Sequence, residues 1–295
     1  MTLRLYPNAK EIVPHPIPHE SPGEGQHPEK MQGHWLLARA GKRVLRPGGL
    51  ELTRQMLDVL SIGLLDRVVE FAPGLGVTAR IVLRKRPAWY CGVEREPAAV
   101  EHLRQQFSGA SARIVLGRAE ESGLPDGSAS VVFGEAMLSM QNARQKQQIV
   151  GEANRLLMEG GRYGIHELCF LPDHISDQVR HKIQAAMSKE IHVGVQLLCR
   201  SEWIRLLEQN GLKAIWCGEA PMHLLEPLRL LKDEGIVGSL RIAFHMATKP
   251  ELGSRIFEMR RLFAKYGEHL GAISLVAEKS SGNASGMQNE ILCPT

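Results

Sequence analysis

A run of residues reading VVEFAPGLGVTA, at positions 68–79, carries the first sign of ligand chemistry. Its apolar first part predicts a buried strand, and Gly74 and Gly76 predict a tight turn directly after it. Because glycine lacks a Cβ, the edge of a ligand can approach the backbone of such a turn closely. The helix predicted next adds free N–H donors at the same place. Glycines after a strand also occur in purely structural turns, so this segment alone does not decide the function.

An acidic residue at the end of the next predicted strand favours a ligand-binding turn over a purely structural one. Residues 90–94 read YCGVE, and Glu94 closes the run. A carboxylate there can accept both hydroxyl protons of a ribose. The interval from Gly76 to Glu94 is close to the roughly 20 residues of a nucleoside-binding unit. Together the two segments predict a nucleoside site. S-adenosylmethionine (SAM) and NAD both remain open, because Gly74, Gly76 and Ala79 also satisfy the dinucleotide spacing.

The elements that must position these residues alternate along the chain, which predicts an α/β protein with a parallel sheet. Strands are predicted at residues 68–71, 89–93, 113–116, 129–133, 162–166, 214–218 and 272–278. Helices are predicted at residues 34–40, 50–64, 78–83, 97–106, 146–158, 175–191, 201–210 and 224–266.

Two further segments make the sequence similar to a known family. Residues 117–128, with the runs GRAE and LPDGS, resemble the adenine-side loop and the approach to strand four of the class I SAM-dependent methyltransferases. Residues 152–162 (EANRLLMEGGR) resemble the helix, Gly-Gly turn and fifth strand of the same family, especially its ubiquinone/menaquinone-biosynthesis branch. The resemblance covers about residues 50–217 and the closing strand. It implies a Rossmann-like, seven-stranded, mostly parallel sheet whose last strand is antiparallel, with a helical insertion and an N-terminal arm.

The resemblance also implies a cofactor and the residues that hold it. SAM would be the methyl donor and S-adenosylhomocysteine the product. Ala72 and Arg118 depart from the glycine and the aspartate that are usual at their positions, which affects the adenine contacts more than the backbone cradle or the ribose acid. The expected cofactor-binding residues are Glu70, Ala72, Gly74, Gly76, Glu94, Arg95, Ala119, Glu120 and Glu135.

Candidates for the chemical step follow strands four and five, whose carboxyl ends face the ligand in this architecture. Glu135 is expected to hold the cofactor's ammonium, to orient the acceptor or to cap the next turn. His166 is a candidate general base or a hydrogen-bonded structural residue, and Glu167 is a third candidate. No metal is expected, because SAM itself supplies the reactive carbon.

The chain is expected to divide into three parts. Residues 1–49 form an N-terminal arm or lid, residues 50–279 the methyltransferase domain, and residues 280–295 a disordered tail. A helical insertion at about residues 222–268 is rich in apolar side chains. Such helices could roof a pocket for an apolar molecule, and the same helices could form a homodimer face.

Composition excludes several other classes. A net charge of +4 and 5% aromatic residues disfavour a nucleic-acid binder. Residues 134–137 (GEAM) lack the Asn/Asp-Pro-Pro-aromatic segment of the amino-group methyltransferases that act on nucleic acid or protein glutamine. No apolar run reaches the length of a membrane span. Five scattered cysteines without a C-x-x-C pair suit reduced thiols and a cytoplasmic location.

The sequence therefore predicts an enzyme that moves a methyl group from SAM to an O or C atom of a small hydrophobic or aromatic acceptor. Two alternatives stay open. One is an NAD-dependent oxidoreductase, which the spacing of the glycines permits. The other is a non-catalytic protein of the same fold that binds a ligand or partner through its helical insertion.

Overall fold

Strands and helices alternate along the chain in the computed structural model, which describes residues 27, 30–108, 111–222 and 224–280. The strands are β1 (Arg67–Phe71), β2 (Trp89–Glu94), β3 (Ala112–Leu116), β4 (Ala129–Glu135), β5 (Leu157–Phe170), β6 (Leu198–Cys199), β7 (Leu212–Pro221) and β8 (Leu270–Lys279). The helices are α1 (Gly33–Arg39), α2 (Gly49–Val59), α3 (Val77–Arg84), α4 (Pro97–Gln106), α5 (Ala143–Leu156), α6 (Asp177–Ile191), α7 (Arg200–Glu208), α8 (Pro227–Thr248) and α9 (Pro250–Lys265).

The sheet has the order β3-β2-β1-β4-β5-β8-β7, and the short β6 lies beside β5. Strands β1 to β5 pair in parallel, whereas β8 runs antiparallel to both of its neighbours. Val68, Val69 and Phe71 of β1 are fully buried because helices cover both faces of the sheet. The predicted α/β, Rossmann-like fold is confirmed, and β6 is a two-residue addition to it.

The antiparallel last strand brings the helical insertion to the edge of the sheet where the nucleoside site was predicted. Pro221, the last residue of β7, pairs with Gly271 at the start of β8. Phe170, the last residue of β5, pairs with Leu270 at the same edge. The chain therefore leaves and re-enters the sheet at the carboxyl ends of the parallel strands. The helical region predicted at residues 224–266 is divided into α8 and α9, because Pro250 begins a new helix. Helix α8 is itself kinked at Gly235, whose φ is 72°.

The N-terminal segment from residue 30 onward is packed against the rest of the protein. Met31, Leu36 and Leu37 belong to one hydrophobic cluster with residues of α6 and α9, among them Met187 and Met259. Residues 1–26 of the predicted arm and residues 281–295 of the predicted tail lie outside the described residues. No helix among those that the structure describes is long and apolar enough to cross a membrane.

Candidate cofactor and acceptor site

One cavity of about 560 Å³ opens at the carboxyl ends of β1, β2 and β4. Its walls come from the glycine turn after β1, the end of β2, the loop at residues 117–120, the loop after β4 and the N-terminal segment at residues 32–46. Eight of the nine expected cofactor residues line it, namely Glu70, Ala72, Gly74, Glu94, Arg95, Ala119, Glu120 and Glu135. The topology of the sheet thus gathers residues that are up to 65 positions apart in the sequence, from Glu70 to Glu135, around one space.

The two glycines of the turn are required for different physical reasons. Gly74 has a positive φ of 55°, and the nearest atom to a Cβ placed there would be 3.9 Å away, so the turn is open to a ligand. Gly76 does not line the cavity. A Cβ on Gly76 would lie 2.8 Å from side-chain carbons of Leu103 and Phe107, so this glycine allows α4 to pack closely against the turn. The structure thus gives Gly76 a packing role, and its contact with the cofactor stays a prediction.

Glu94 connects the end of β2 to the glycine turn. Its side chain is buried and accepts hydrogen bonds from the backbone N–H groups of Gly74 at 3.0 Å, Arg95 at 2.9 Å and Glu96 at 3.0 Å. Each carboxylate oxygen has two lone pairs. Oε1 already accepts from Arg95 and Glu96, whereas Oε2 accepts only from Gly74 and keeps capacity for a further donor such as a ribose hydroxyl. Arg95 and Glu96 follow it along the cavity wall.

Glu70 is buried beneath the same turn. The Tyr90 hydroxyl donates to its Oε2 atom at 2.6 Å. The pKa of Glu70 is raised to about 8, mainly by burial; the Tyr90 hydrogen bond opposes this shift, and the neighbouring Glu135 carboxylate adds to it. Glu70 is therefore largely protonated at pH 7 in the free protein.

A pH-dependent stability is expected from Glu70. Its pKa is about 8 in the folded chain against 4.5 for an ordinary glutamate, so the folded state keeps a proton that the unfolded chain loses. The stability that it contributes is present below about pH 4.5 and is lost as the pH rises toward 8, at up to about 1.4 kcal/mol per pH unit. Glu70→Gln lacks this slope, so its unfolding free energy relative to wild type should rise between pH 5 and pH 8. Urea unfolding measures this, with Glu258→Gln on the exposed side of α9 as the control; parallel curves for wild type and Glu70→Gln would contradict the assignment.

Glu135 lies at the centre of a buried polar network. Arg46 Nε lies 3.0 Å from its Oε1 atom, and the hydroxyls of Thr53 and Thr78 donate to its two oxygens. His166 Nδ1 also lies 3.0 Å from Oε1. Burial by itself would raise the pKa of Glu135, but Arg46, His166 and Thr53 outweigh it and hold the pKa at about 2. Glu135 is therefore an ionised carboxylate that joins β4, β5, α2, α3 and the N-terminal segment.

The structure corrects the expectation that His166 faces the ligand. Its side chain is fully buried, with Nε2 at 2.6 Å from the Pro47 carbonyl oxygen and Nδ1 toward Glu135. Both ring nitrogens face acceptor oxygens, so no lone pair points at the cavity. The physical reason is the length of β5, which continues to Phe170, so that His166 lies inside the sheet rather than at its edge.

Glu167 is likewise buried outside the cavity. Its carboxylate accepts from the backbone N–H groups of Met137, Leu138 and Ser139 and from the Ser139 hydroxyl. Burial raises its pKa, and these hydrogen bonds oppose the shift. The residue fixes the short 3₁₀ turn Leu138–Met140 after β4, which forms part of the cavity wall. The expectation that Glu167 contacts the acceptor is corrected accordingly.

Sequence reasoning missed the residues that the N-terminal segment brings to the cavity. The side chain of Arg46 is only 9% exposed. Its Nη2 atom is buried and has no hydrogen-bond partner in the described structure. His34 also lines the cavity, with a buried Nδ1 that has no hydrogen-bond partner. Burial, with a smaller effect of Arg95, lowers the pKa of His34 to about 4. This ring is therefore neutral at pH 7.

Two acidic residues of α8 hold this segment in place. Glu234 accepts from the backbone N–H groups of Arg43 and Val44 at 2.7 and 2.8 Å, and from Arg43 Nε at 3.0 Å. Asp233 accepts from the backbone N–H of Leu50. These hydrogen bonds from Glu234 and Asp233 fix the part of the chain that carries Arg46 into the site.

Comparison with known proteins adds chemistry to this geometry. Residues 68–161 match the family model of the methyltransferase domain. This span contains the glycine turn, Glu94, the loop at residues 117–120 and Glu135. With the fold, the match supports a class I SAM-dependent methyltransferase, and therefore an enzyme with SAM as its cofactor.

Several proteins are similar over most of the chain. An uncharacterized protein of Haemophilus influenzae is 29% identical over 252 residues, which are 84% of this chain and 98% of the relative. The structure of Haemonchus contortus phosphoethanolamine N-methyltransferase 2, in complex with phosphomonomethylethanolamine and S-adenosylhomocysteine, superposes with a TM-score of 0.65 at 14% identity, over 88% of this chain and 60% of that one. A geranyl diphosphate methyltransferase in complex with GPP and sinefungin gives 0.54 at 15% identity, over 77% of each chain.

Proposed function

We propose that this enzyme transfers the methyl group of SAM to an O or C atom of a small, mostly apolar acceptor. The observation that carries the proposal is the composition of the cavity at the carboxyl ends of β1, β2 and β4. Its cofactor side holds Glu94 and the open turn at Gly74, and its other walls include apolar side chains: Trp35, Leu45, Met137, Met140 and Ile149. The charged residues of the lining are concentrated on the cofactor side and in the N-terminal segment, and the apolar walls beside them suit an apolar acceptor. The similarity of the fold to a geranyl diphosphate methyltransferase is consistent with such an acceptor.

The polar groups and the open turn of the cavity fit SAM. The turn at Gly74 leaves room for the methionyl portion, Glu94 would accept from the ribose hydroxyls, and Ala119 and Glu120 border the adenine side. The unpartnered Arg46 Nη2 would bind the methionyl carboxylate, since a buried guanidinium needs an acceptor. When bound, SAM would supply an electrophilic methyl carbon. The acceptor atom would bond to this carbon, and the sulfur would leave on the opposite side as S-adenosylhomocysteine.

The protein's own contribution is alignment and the exclusion of water. Glu135 would act as a positioning residue that holds Arg46, and His166 would hold Glu135 in turn. His34 lines the cavity with a ring that is neutral at pH 7, so it would contact the acceptor, although its pKa of about 4 makes it a weak base. The similarity to the ubiquinone/menaquinone branch is part of this proposal, as are a cytoplasmic location and a small-molecule acceptor rather than nucleic acid.

A transfer assay tests the proposal. Purified protein is incubated with methyl-tritiated SAM and a panel of phenols, enols, amines and isoprenoid compounds, and the products are separated by extraction into organic solvent. We expect label in an apolar O- or C-methylated product, with Glu94→Gln as the low-activity control. Label confined to amines would contradict the acceptor class. SAM binding without transfer to any acceptor would favour the non-catalytic alternative.

A further inference from the structure

The outward side of α8 is apolar and exposed to solvent. Six residues form it: Leu228, Leu231, Ile236, Val237, Leu240 and Phe244, which we call the α8 face. Each of them is between 45% and 77% exposed. Ile236, Leu240 and Phe244 follow one another at intervals of four, so their side chains form a continuous stripe along the helix. Single exposed apolar residues are ordinary, but a continuous stripe of large ones marks a surface that binds something.

The inward side of α8 shows why this stripe is not a misplaced core. Asp233 and Glu234 are buried there and hold the N-terminal segment through hydrogen bonds to Leu50, Arg43 and Val44. Ile242 is also buried, eight residues beyond Glu234 and after the kink at Gly235. The second half of α8 is thus apolar on both sides, and a helix of that kind is normally covered all round. In the part of the chain that the structure describes, only the inward side is covered.

The charges beside the α8 face select its partner. The exposed charged residues of α8 and its C-cap are the cations Lys232, Arg241 and Lys249. Of the nearest acidic side chains, Glu226 at the N-cap is paired with Arg260, and Glu251 belongs to the first turn of α9. The acidic residues of the helix, Asp233 and Glu234, are buried and already paired with cations of the N-terminal segment. A second copy that docked face to face would bring like charges together, whereas an anionic surface would neutralise them. Leucines and a phenylalanine flanked by Lys and Arg are the composition of helices that lie in a lipid headgroup layer.

We propose that the α8 face docks this protein on an anionic lipid surface. The helix lies in the plane of the headgroups, with Leu240 and Phe244 in the apolar layer and the flanking cations against the phosphates. Because α8 follows the carboxyl edge of the sheet, docking brings the cavity's side of the molecule toward the bilayer. An acceptor that partitions into lipid would then be delivered close to the site, a consequence that rests on the proposed apolar acceptor; the docking itself does not.

Vesicle sedimentation with the full chain tests the docking. Vesicles of phosphatidylglycerol and phosphatidylcholine are compared with vesicles of phosphatidylcholine alone. We expect binding to the anionic vesicles that weakens as salt is raised. Leu240→Ser with Phe244→Ser should lower the partition coefficient by roughly tenfold or more, since two large apolar groups no longer enter the lipid. Lys232→Gln with Lys249→Gln should reduce binding to the anionic vesicles only. Leu65→Ser is the matched control, because Leu65 is 93% exposed just before β1, at the opposite edge of the sheet.

The outcomes separate docking from its alternatives. All the altered residues are exposed, so each variant is checked for an unchanged melting temperature before its binding is compared. Absence of wild-type binding to anionic vesicles would overturn the proposal, and so would equal binding by the Leu240→Ser, Phe244→Ser variant. A wild-type dimer in light scattering that this double variant converts to a monomer, with no vesicle binding by either, would assign the α8 face to a second copy instead.

Discussion

Glu135→Ala is expected to lower the free energy of unfolding at pH 7 by about 3–5 kcal/mol, because it leaves a buried guanidinium without its counter-charge. The carboxylate of Glu135 is bound by Arg46, Thr53, Thr78 and His166, and its own side chain is 7% exposed. Urea denaturation measures the loss. The matched control is Asp126→Ala, which removes an 82% exposed carboxylate from a surface ion pair with Arg155 and should cost less than about 1 kcal/mol.

The loss of stability in Glu135→Ala should depend on pH. The pKa of Glu135 is about 2 in the folded chain against an ordinary value of 4.5, so its contribution to stability is present above about pH 4.5 and is lost as the pH falls toward 2. The difference between wild type and Glu135→Ala should therefore shrink at pH 3. A deficit at pH 7 no larger than that of the Asp126 control would mean that Arg46 and His166 do not depend on Glu135.

Arg46→Gln is expected to weaken the binding of S-adenosylhomocysteine by about 10- to 100-fold, the usual cost of a lost charged hydrogen bond. The reason is that Arg46 lines the cavity and that its buried Nη2 atom has no protein partner in the described structure. Calorimetry on the variant is run with two ligands. The second, 5′-methylthioadenosine, keeps the nucleoside and lacks the amino-acid end, so its affinity should change by less than about twofold if Arg46 binds the carboxylate.

Arg180→Gln is the matched control for this experiment, because the Arg180 guanidinium is bound by Glu202 and lies away from the cavity. An equal loss for both ligands in Arg46→Gln would show a structural role through Glu135 rather than a contact with the carboxylate. Unchanged binding of both ligands would place the methionyl carboxylate elsewhere and leave the Nη2 atom for the acceptor.

The parts of the site that depend on local order could be predicted from the sequence. The turn at Gly74 follows its strand directly, and Glu94 closes the next strand, so a parallel sheet necessarily brings the two together. The role of Gly76 could not be predicted, since it depends on Leu103 and Phe107 of a helix one unit further along the chain. The mostly parallel sheet and its antiparallel last strand followed from the resemblance and were confirmed.

The expectation that residues at the carboxyl end of a strand face the ligand did not hold for β5, because the sequence predicts that the strand exists but not where it ends. The run was predicted to end at His166, whereas pairing with β8 continues it to Phe170. His166 and Glu167 therefore lie between two neighbouring strands, buried and bonded to protein. Periodicity cannot show this extension, which is set by a partner strand about 100 residues later in the chain.

The N-terminal contribution could not be predicted for a related reason. Arg43 is held by Glu234, which lies 191 positions away, and Arg46 by Glu135. The turn around Pro47 and Gly48 is visible in the sequence, but nothing local shows that it carries a buried guanidinium to the cavity. A polar segment that looks like a loose arm can thus hold functional side chains when its partners lie in a distant insertion.

The most direct test of the central claim is calorimetric titration of the wild-type protein and Glu94→Ala with S-adenosylhomocysteine and with NAD. Saturable binding of S-adenosylhomocysteine to wild type without any NAD signal, and a loss of about 1.5–3 kcal/mol in Glu94→Ala, is the predicted result. Binding of NAD without S-adenosylhomocysteine would contradict the account, and the turn at Gly74 would then be a dinucleotide site.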